Sequence, residues 1–138
     1  MSPFEPRTVK GGALGLEQIG CPRFAPVFFE HRGVRVLRLE YTGLAALELP
    51  VAFQQARSLI AAAPAGSLRM LTLLDSIFDK EGAEEFKRYA VANRFFVRRS
   101  AVVARGFWKV VATSVKLHGR EDMMLFDGED AALAWLVQ

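Results

Sequence analysis

The sequence predicts an α/β fold, a mixed, mostly parallel β-sheet packed against helices in the order β-β-α-β-α-β-α-β-α. Three observations carry that expectation. Two β-rich runs, 26–31 and 34–41, flank Arg32-Gly33, and runs so closely spaced read as an antiparallel hairpin. From residue 49 onward, stretches with apolar residues every three or four positions alternate with short runs of few charges, so helices alternate with strands covered on both faces. Within 138 residues there is no internal repeat and no break in composition that would begin a second domain, so one core is expected.

Each element has its own signal. In the second run Val34 and Val36 share one side while Leu37, Leu39 and Tyr41 share the other, which marks an interior strand. Pro26 removes a ladder donor at the start of the first run, making that strand the edge. Phe28 and Phe29 then lie on opposite faces, one of them under a helix. Leu49, Phe53, Ala56, Ile60 and Ala63 give the first helix its stripe, with Pro50 in the first turn and Pro64 and Gly66 ending it. "SLRMLTLLD" reads as a buried parallel strand. Asp79 caps the next helix, whose inner face is Ala83, Phe86, Ala90 and Asn93, with Glu81, Glu84 and Glu85 placed favourably against its positive end.

"SAVVAR" supplies the fourth strand, and Gly106 turns the chain into a helix with Phe107, Val111, Val115 and His118 on one stripe and Gly119 as its terminator. "MMLFD" is the last strand. Asp127 and Asp130 resemble a capping box for a closing helix that turns Ala131, Ala132, Trp135 and Leu136 inward.

Hydrophobic residues are 51% of the chain and charged residues 24%, the balance of a soluble globular protein. Lys and Arg outnumber Asp and Glu by only 18 to 15, and a net charge of +3 argues against a nucleic-acid partner. The single Cys21 has no disulfide or thiol-metal partner, and His31 and His118 stand far apart, so neither metal nor cofactor is expected. Residues 1–22, with Gly11-Gly12, Gly15 and Gly20, read as a flexible leader, because no strand precedes the glycines as a phosphate loop requires. The domain is then 23–138. No run approaches the roughly 18 apolar residues of a membrane span, and a cytoplasmic protein is expected.

The stretches "VLRLEYTGL", "PAGSLRMLTLLD", "RRSAVV" and "LFDGEDAALAWL", in this order, resemble the STAS family, in particular its SpoIIAA-like branch of small bacterial anti-sigma-factor-antagonist-like proteins. The resemblance covers nearly everything after the leader. It implies the fold, the lack of catalysis, and a regulatory role in binding a protein or an apolar ligand. Phospho-regulated members carry Asp-Ser-Ser-Gly after the third strand. Here the place reads Asp75-Ser76-Ile77-Phe78, keeping the Asp-Ser pair and replacing the second Ser and the Gly with bulky apolar residues.

The loop Asp75, Ser76, Ile77, Phe78 and Asp79 is the candidate partner-binding or phosphorylation site, since ligands of open α/β sheets collect beyond the carboxyl ends of strands. A nucleophile role for Ser76 lacks the Gly-x-Ser-x-Gly elbow and a nearby histidine. Asp75 and Asp79 have ordinary work as a strand-end turn residue and a helix cap, which accounts for them without Mg²⁺. Arg94, Arg98, Arg99, Arg105 and Lys109 surround the fourth strand among aromatic residues and form a candidate basic docking patch. The expected function is a non-enzymatic regulatory module acting through a protein partner. The alternative is a carrier holding a lipid or other apolar ligand in a cavity between sheet and helices. The sequence leaves monomer and homodimer undecided.

Overall fold

A computed structural model describes residues 23–76 and 79–138. The expected leader, 1–22, and Ile77 and Phe78 lie outside the described residues. The elements are β1 (Val27–His31), β2 (Val34–Glu40), α1 (Leu49–Ile60), β3 (Leu68–Leu74), α2 (Lys80–Asn93), a 3₁₀ turn (Arg94–Phe96), β4 (Val97–Ala104), α3 (Phe107–Leu117), β5 (Met123–Phe126) and α4 (Glu129–Leu136). They form one five-stranded sheet in the order β1-β2-β3-β4-β5, antiparallel only between β1 and β2. Among the described residues no helix is long and apolar enough to cross a membrane.

The spatial order follows the chain order, so every parallel crossover steps in one direction. Right-handed crossovers that never reverse place their helices on one face. Accordingly α1, α2 and α3 share a core with Leu37, Leu39, Met70, Leu74 and Val102. The opposite face, carrying Val36, Leu71, Leu73, Ala101 and Val103, is covered by α4 through Ala132 and Leu136.

The hairpin turns on Arg32 and Gly33, both left-handed at φ 52° and 79°, the backbone of a type I′ turn. β2 is interior and β1 is at the edge, as the alternation of Val34 to Tyr41 and the position of Pro26 require. Phe28 packs on the three-helix side and Phe29 on the α4 side, both partly buried. In α1 Pro50 lies in the first turn and Leu49, Ala52, Phe53, Ala56 and Ile60 are buried.

Between sheet and helices, aromatic rings fill the interior. Phe24 stacks on Tyr41 at 4.8 Å, Tyr41 meets Phe53 at 4.8 Å, Phe53 meets Tyr89 at 5.0 Å, and Phe86 meets Trp108 at 6.1 Å. The hydroxyl of Tyr41 donates to that of Tyr89 at 3.1 Å, which satisfies a polar group that burial would otherwise leave without water. Burial pushes Tyr41 well above the usual tyrosine range and Tyr89 up to about 12.

Two expectations are corrected. The buried stripe of α3 is Trp108, Val111, Ala112 and Val115, while Phe107 is 69% exposed and His118 is the exposed C-cap. Val111, Ala112 and Val115 fall three, four and seven residues after Trp108, so the apolar set phases the helix on the tryptophan. The closing helix is capped by Gly128 without a side-chain bond, and Asp127 instead pairs with Lys109 at 3.3 Å. Ala131 is exposed and Trp135 only partly buried, leaving Ala132 and Leu136 as the inward pair.

Two outcomes are expected. Tyr41 and Tyr89 are the chain's only tyrosines, so tyrosinate absorbance reports on this pair alone. Both folded values are raised, so stability is full below the unfolded value near 10 and declines as pH climbs toward 12. For Tyr89 the loss is on the order of 3 kcal/mol. In an alkaline titration, ionisation and loss of near-UV circular dichroism should coincide; tyrosines titrating near pH 10 in an intact fold would contradict this burial. On α4, Leu136→Ala should cost about 2 to 5 kcal/mol in urea unfolding, and Trp135→Ala less. The reverse ranking would show that the tryptophan is the anchor.

Candidate functional site

The parallel strands β2, β3 and β4 end side by side, and main-chain bonds keep their exits in register. Tyr41 N donates to Leu73 O at 2.8 Å, Gly43 N to Asp75 O at 3.2 Å, and Arg105 N to Leu74 O at 3.2 Å. On the α4 face these exits border a cleft of about 700 Å³ lined by Glu40, Thr42, Asp75, Arg105, Glu129 and Asp130, with Leu73, Leu74 and Val103 beneath. Arg38 fixes its far wall. Its guanidinium donates to Glu40 at 2.9 Å and to both carboxylate oxygens of Glu129 at 3.3 Å, tying β2 to the first turn of α4. The Glu129 bond, with Glu40 behind it, raises Arg38 above its ordinary value against the opposing effect of burial.

Asp75 stands at the near rim. Its carboxylate is 3.7 Å from Arg105 Nε, and with side chains 50% and 66% exposed this pair is worth a fraction of a kcal/mol up to about 1. Both groups therefore remain available for other contacts. Carboxylates outnumber cations along the lining, Glu40, Asp75, Glu129 and Asp130 against Arg105.

After Asp75, Ser76 and Asp79 are each held by a hydrogen bond. The Trp108 indole N–H donates to the Ser76 carbonyl at 3.0 Å, and the Asp79 carboxylate accepts from Gly82 N at 2.7 Å as the N-cap of α2. Gly82 admits this close packing, since a Cβ there would meet Leu49 Cδ1 at 3.1 Å and Asp79 Oδ1 at 3.3 Å. Ser76 Oγ is enclosed and makes no hydrogen bond among the described residues. The hydroxyl thus faces inward rather than standing free at the strand end. Both histidines are at the other end of the sheet: His31 precedes the β1–β2 turn, and His118 follows α3 with its Nδ1 at 2.7 Å from Ser114 O. Among the described residues no three His, Cys, Asp or Glu side chains gather as metal ligands.

The five predicted cations do surround β4 but do not form one surface. Arg94 precedes β4 and Arg98 and Arg99 lie in its first residues, Arg105 and Lys109 follow its carboxyl end, and the six-residue step from Arg99 to Arg105 already separates the groups by roughly 20 Å. Arg99 turns to the α4 face, donating to Trp135 O at 2.7 Å with its guanidinium 5.0 Å from the indole centroid. Of the predicted loop, Asp75 reaches the cleft, Asp79 caps α2, and Ile77 and Phe78 are outside the described residues. Arg38, Glu40, Thr42, Glu129 and Asp130 were not foreseen. Glu40, a charge closing an apolar strand, is the one with a local signal.

No protein-family model matches the chain, and no curated protein matches it. Among solved structures it is similar to an uncharacterized protein of the DUF3478 family with a SpoIIAA-like fold, from Shewanella loihica PV-4. The TM-score is 0.64 at 14% sequence identity, over 82% of this chain and 93% of that one. The likeness is one of architecture, and the chain has a SpoIIAA-like fold.

Proposed function

We propose that the chain is a non-enzymatic regulatory module that binds a protein partner at the carboxyl ends of its parallel strands. The observation that carries this reading is the cleft itself. It is open, about 700 Å³, and edged by four carboxylates, of which Glu40 and Glu129 are held by Arg38 while Asp75 is only loosely engaged by Arg105. Such a rim suits the polar margin of a protein interface that receives basic side chains. A carrier of apolar ligands would need room between sheet and helices, where the rings of Tyr41, Phe53, Phe86, Tyr89 and Trp108 pack against one another.

The enclosed Ser76 hydroxyl supports a contact made without phosphorylation, because a kinase must reach Oγ and the Ser76 carbonyl is held by Trp108. A phosphate there would add about −1.5 to −2 charges beside Asp75 and Asp79.

The test is capture from native cell extract with the full chain, followed by binding measurements on the recovered partner. Asp75→Arg combined with Asp130→Arg should weaken binding at least tenfold, while Ser76→Ala should retain it and leave the unfolding temperature within a few degrees. Undiminished binding by the charge-reversed variant would remove the cleft as the contact. Phosphate on native Ser76, with release of the partner by Ser76→Asp in a variant that still folds, would make the loop a phospho-switch and overturn the constitutive reading.

A further inference from the structure

At the other side of the sheet, β1 has only β2 as a neighbour among the described residues. In a two-residue hairpin the residues flanking the turn form a hydrogen-bonded pair, here His31 with Val34, and pairs alternate from there. Phe28 and Glu30 consequently turn their backbone N–H and C=O groups outward, away from β2. They offer an unclaimed ladder to an added strand.

Beside this edge, on the three-helix face, a groove of about 450 Å³ runs between the hairpin and the end of α1. Its apolar lining is Phe28, Leu37, Leu59, Ala63 and Leu68, and its cations are Arg35 and Arg69. The Arg35 guanidinium lies 4.0 Å from the centroid of the Phe28 ring, which carries the charge from β2 out over the edge strand. Arg23, Arg38, Arg88, Arg105 and Arg120 each have a carboxylate partner within 4 Å, but Arg35 and Arg69 have none among the described residues. Glu30 faces Arg35 in the register and still makes no ion pair with it.

An open ladder, an apolar trough and the uncompensated Arg35 guanidinium thus meet at one place, with Arg69 at its border. We propose that this groove receives an extended segment of a partner protein, added to β1 as a sixth strand, with an apolar side chain in the trough and a carboxylate two residues away meeting Arg35. Residues two apart on a strand share a face and stand about 6.6 Å from each other, the spacing that sets the carboxylate beside Phe28, where the Arg35 guanidinium lies, and the apolar residue rather than a second carboxylate beside Glu30. Charge complementarity selects the acidic residue, since a neutral segment would leave the Arg35 guanidinium covered and unpaired. This surface is separate from the strand-end cleft, and the proposal stands without that reading.

The experiment is selection of displayed random decapeptides on the full chain, followed by anisotropy titration of the enriched peptide. Enriched sequences should carry an apolar residue two positions from Asp or Glu. Arg35→Glu with Arg69→Glu should weaken the peptide at least tenfold with an unchanged unfolding temperature. Glu30→Pro removes an outward donor while sparing the β2 ladder, and it too should weaken binding although it removes a negative charge. Asp75→Arg, at the distant cleft, should leave binding unchanged. Enrichment of neutral or basic peptides, indifference to the arginine reversals, or absence of any enriched peptide would overturn the proposal. So would conversion of a dimer to a monomer by Glu30→Pro in sedimentation analysis, which assigns the edge to a second copy. Displacement of the peptide by oleate at equal strength in the arginine-reversed variant would assign the trough to an apolar anion instead.

Discussion

The constraint on which the rest of this structure depends is the handedness of the β-α-β crossover. Three right-handed crossovers stepping in one direction across β2, β3, β4 and β5 leave no choice about where their helices go. One face receives α1, α2 and α3, and the other keeps the apolar residues Val36, Leu71, Leu73, Ala101 and Val103 in need of cover. Among the described residues the chain after β5 supplies it. An eight-residue helix does so, and because β5 ends at the carboxyl end of the sheet, α4 must begin there too. The cleft is a consequence of this return, with strand exits on one side and the first turn of α4 on the other.

A short helix on a sheet face is marginal by itself, since helices under about 12 residues gain most of their stability from packing. Here two polar ties complement Ala132 and Leu136. Arg38 reaches from β2 to Glu129 in the first turn, and Arg99 from β4 to the carbonyl of Trp135 in the last. Each guanidinium meets the end whose groups suit it: a first-turn carboxylate at one end and, at the other, a last-turn carbonyl that otherwise accepts a long bond from Gln138 N at 3.4 Å, where cations are favoured. The residues that roof the cleft are therefore also those that hold α4 in place, so a change at Glu129 acts on both.

Legibility in the sequence followed the distance over which each signal acts. Strands, hairpin, α1 and the Asp79 cap depend on neighbours within a few residues, and the alternation from Val34 to Tyr41 places β2 inside the sheet without further information. The phase of α3 is ambiguous in the sequence because two adjacent aromatics, Phe107 and Trp108, both begin plausible stripes; what separates them is the indole bond to Ser76, 32 residues earlier in the chain. Gly128 displaced Asp127 as a cap for a comparable reason, Asp127 being engaged with Lys109 on α3. The bond between Arg38 and Glu129 spans 91 residues and has no sequence signature. The basic patch dissolved for a simple metric reason: proximity in sequence along a strand is separation in space.

The two ends of the sheet are built of different chemistry. At the amino end Arg120, 2% exposed, is enclosed by Asp122 at 2.6 Å and 2.8 Å and by the carbonyl of Ala90 near the end of α2 at 2.6 Å. A buried charge so bonded is locked, because removing a partner costs about 3 to 5 kcal/mol. At the carboxyl end Arg38 is likewise committed to Glu40 and Glu129, but Asp75 and Arg105 are exposed and loosely paired, and rearranging that pair costs little. A surface that must meet a partner without destabilising its own fold needs the second kind of electrostatics. The backbone makes the same distinction: the carbonyls of Asp75 and Ser76 accept from Gly43 N and from the Trp108 indole, so the main chain at Asp75 is bonded on both sides while its side chain stays free to change partners.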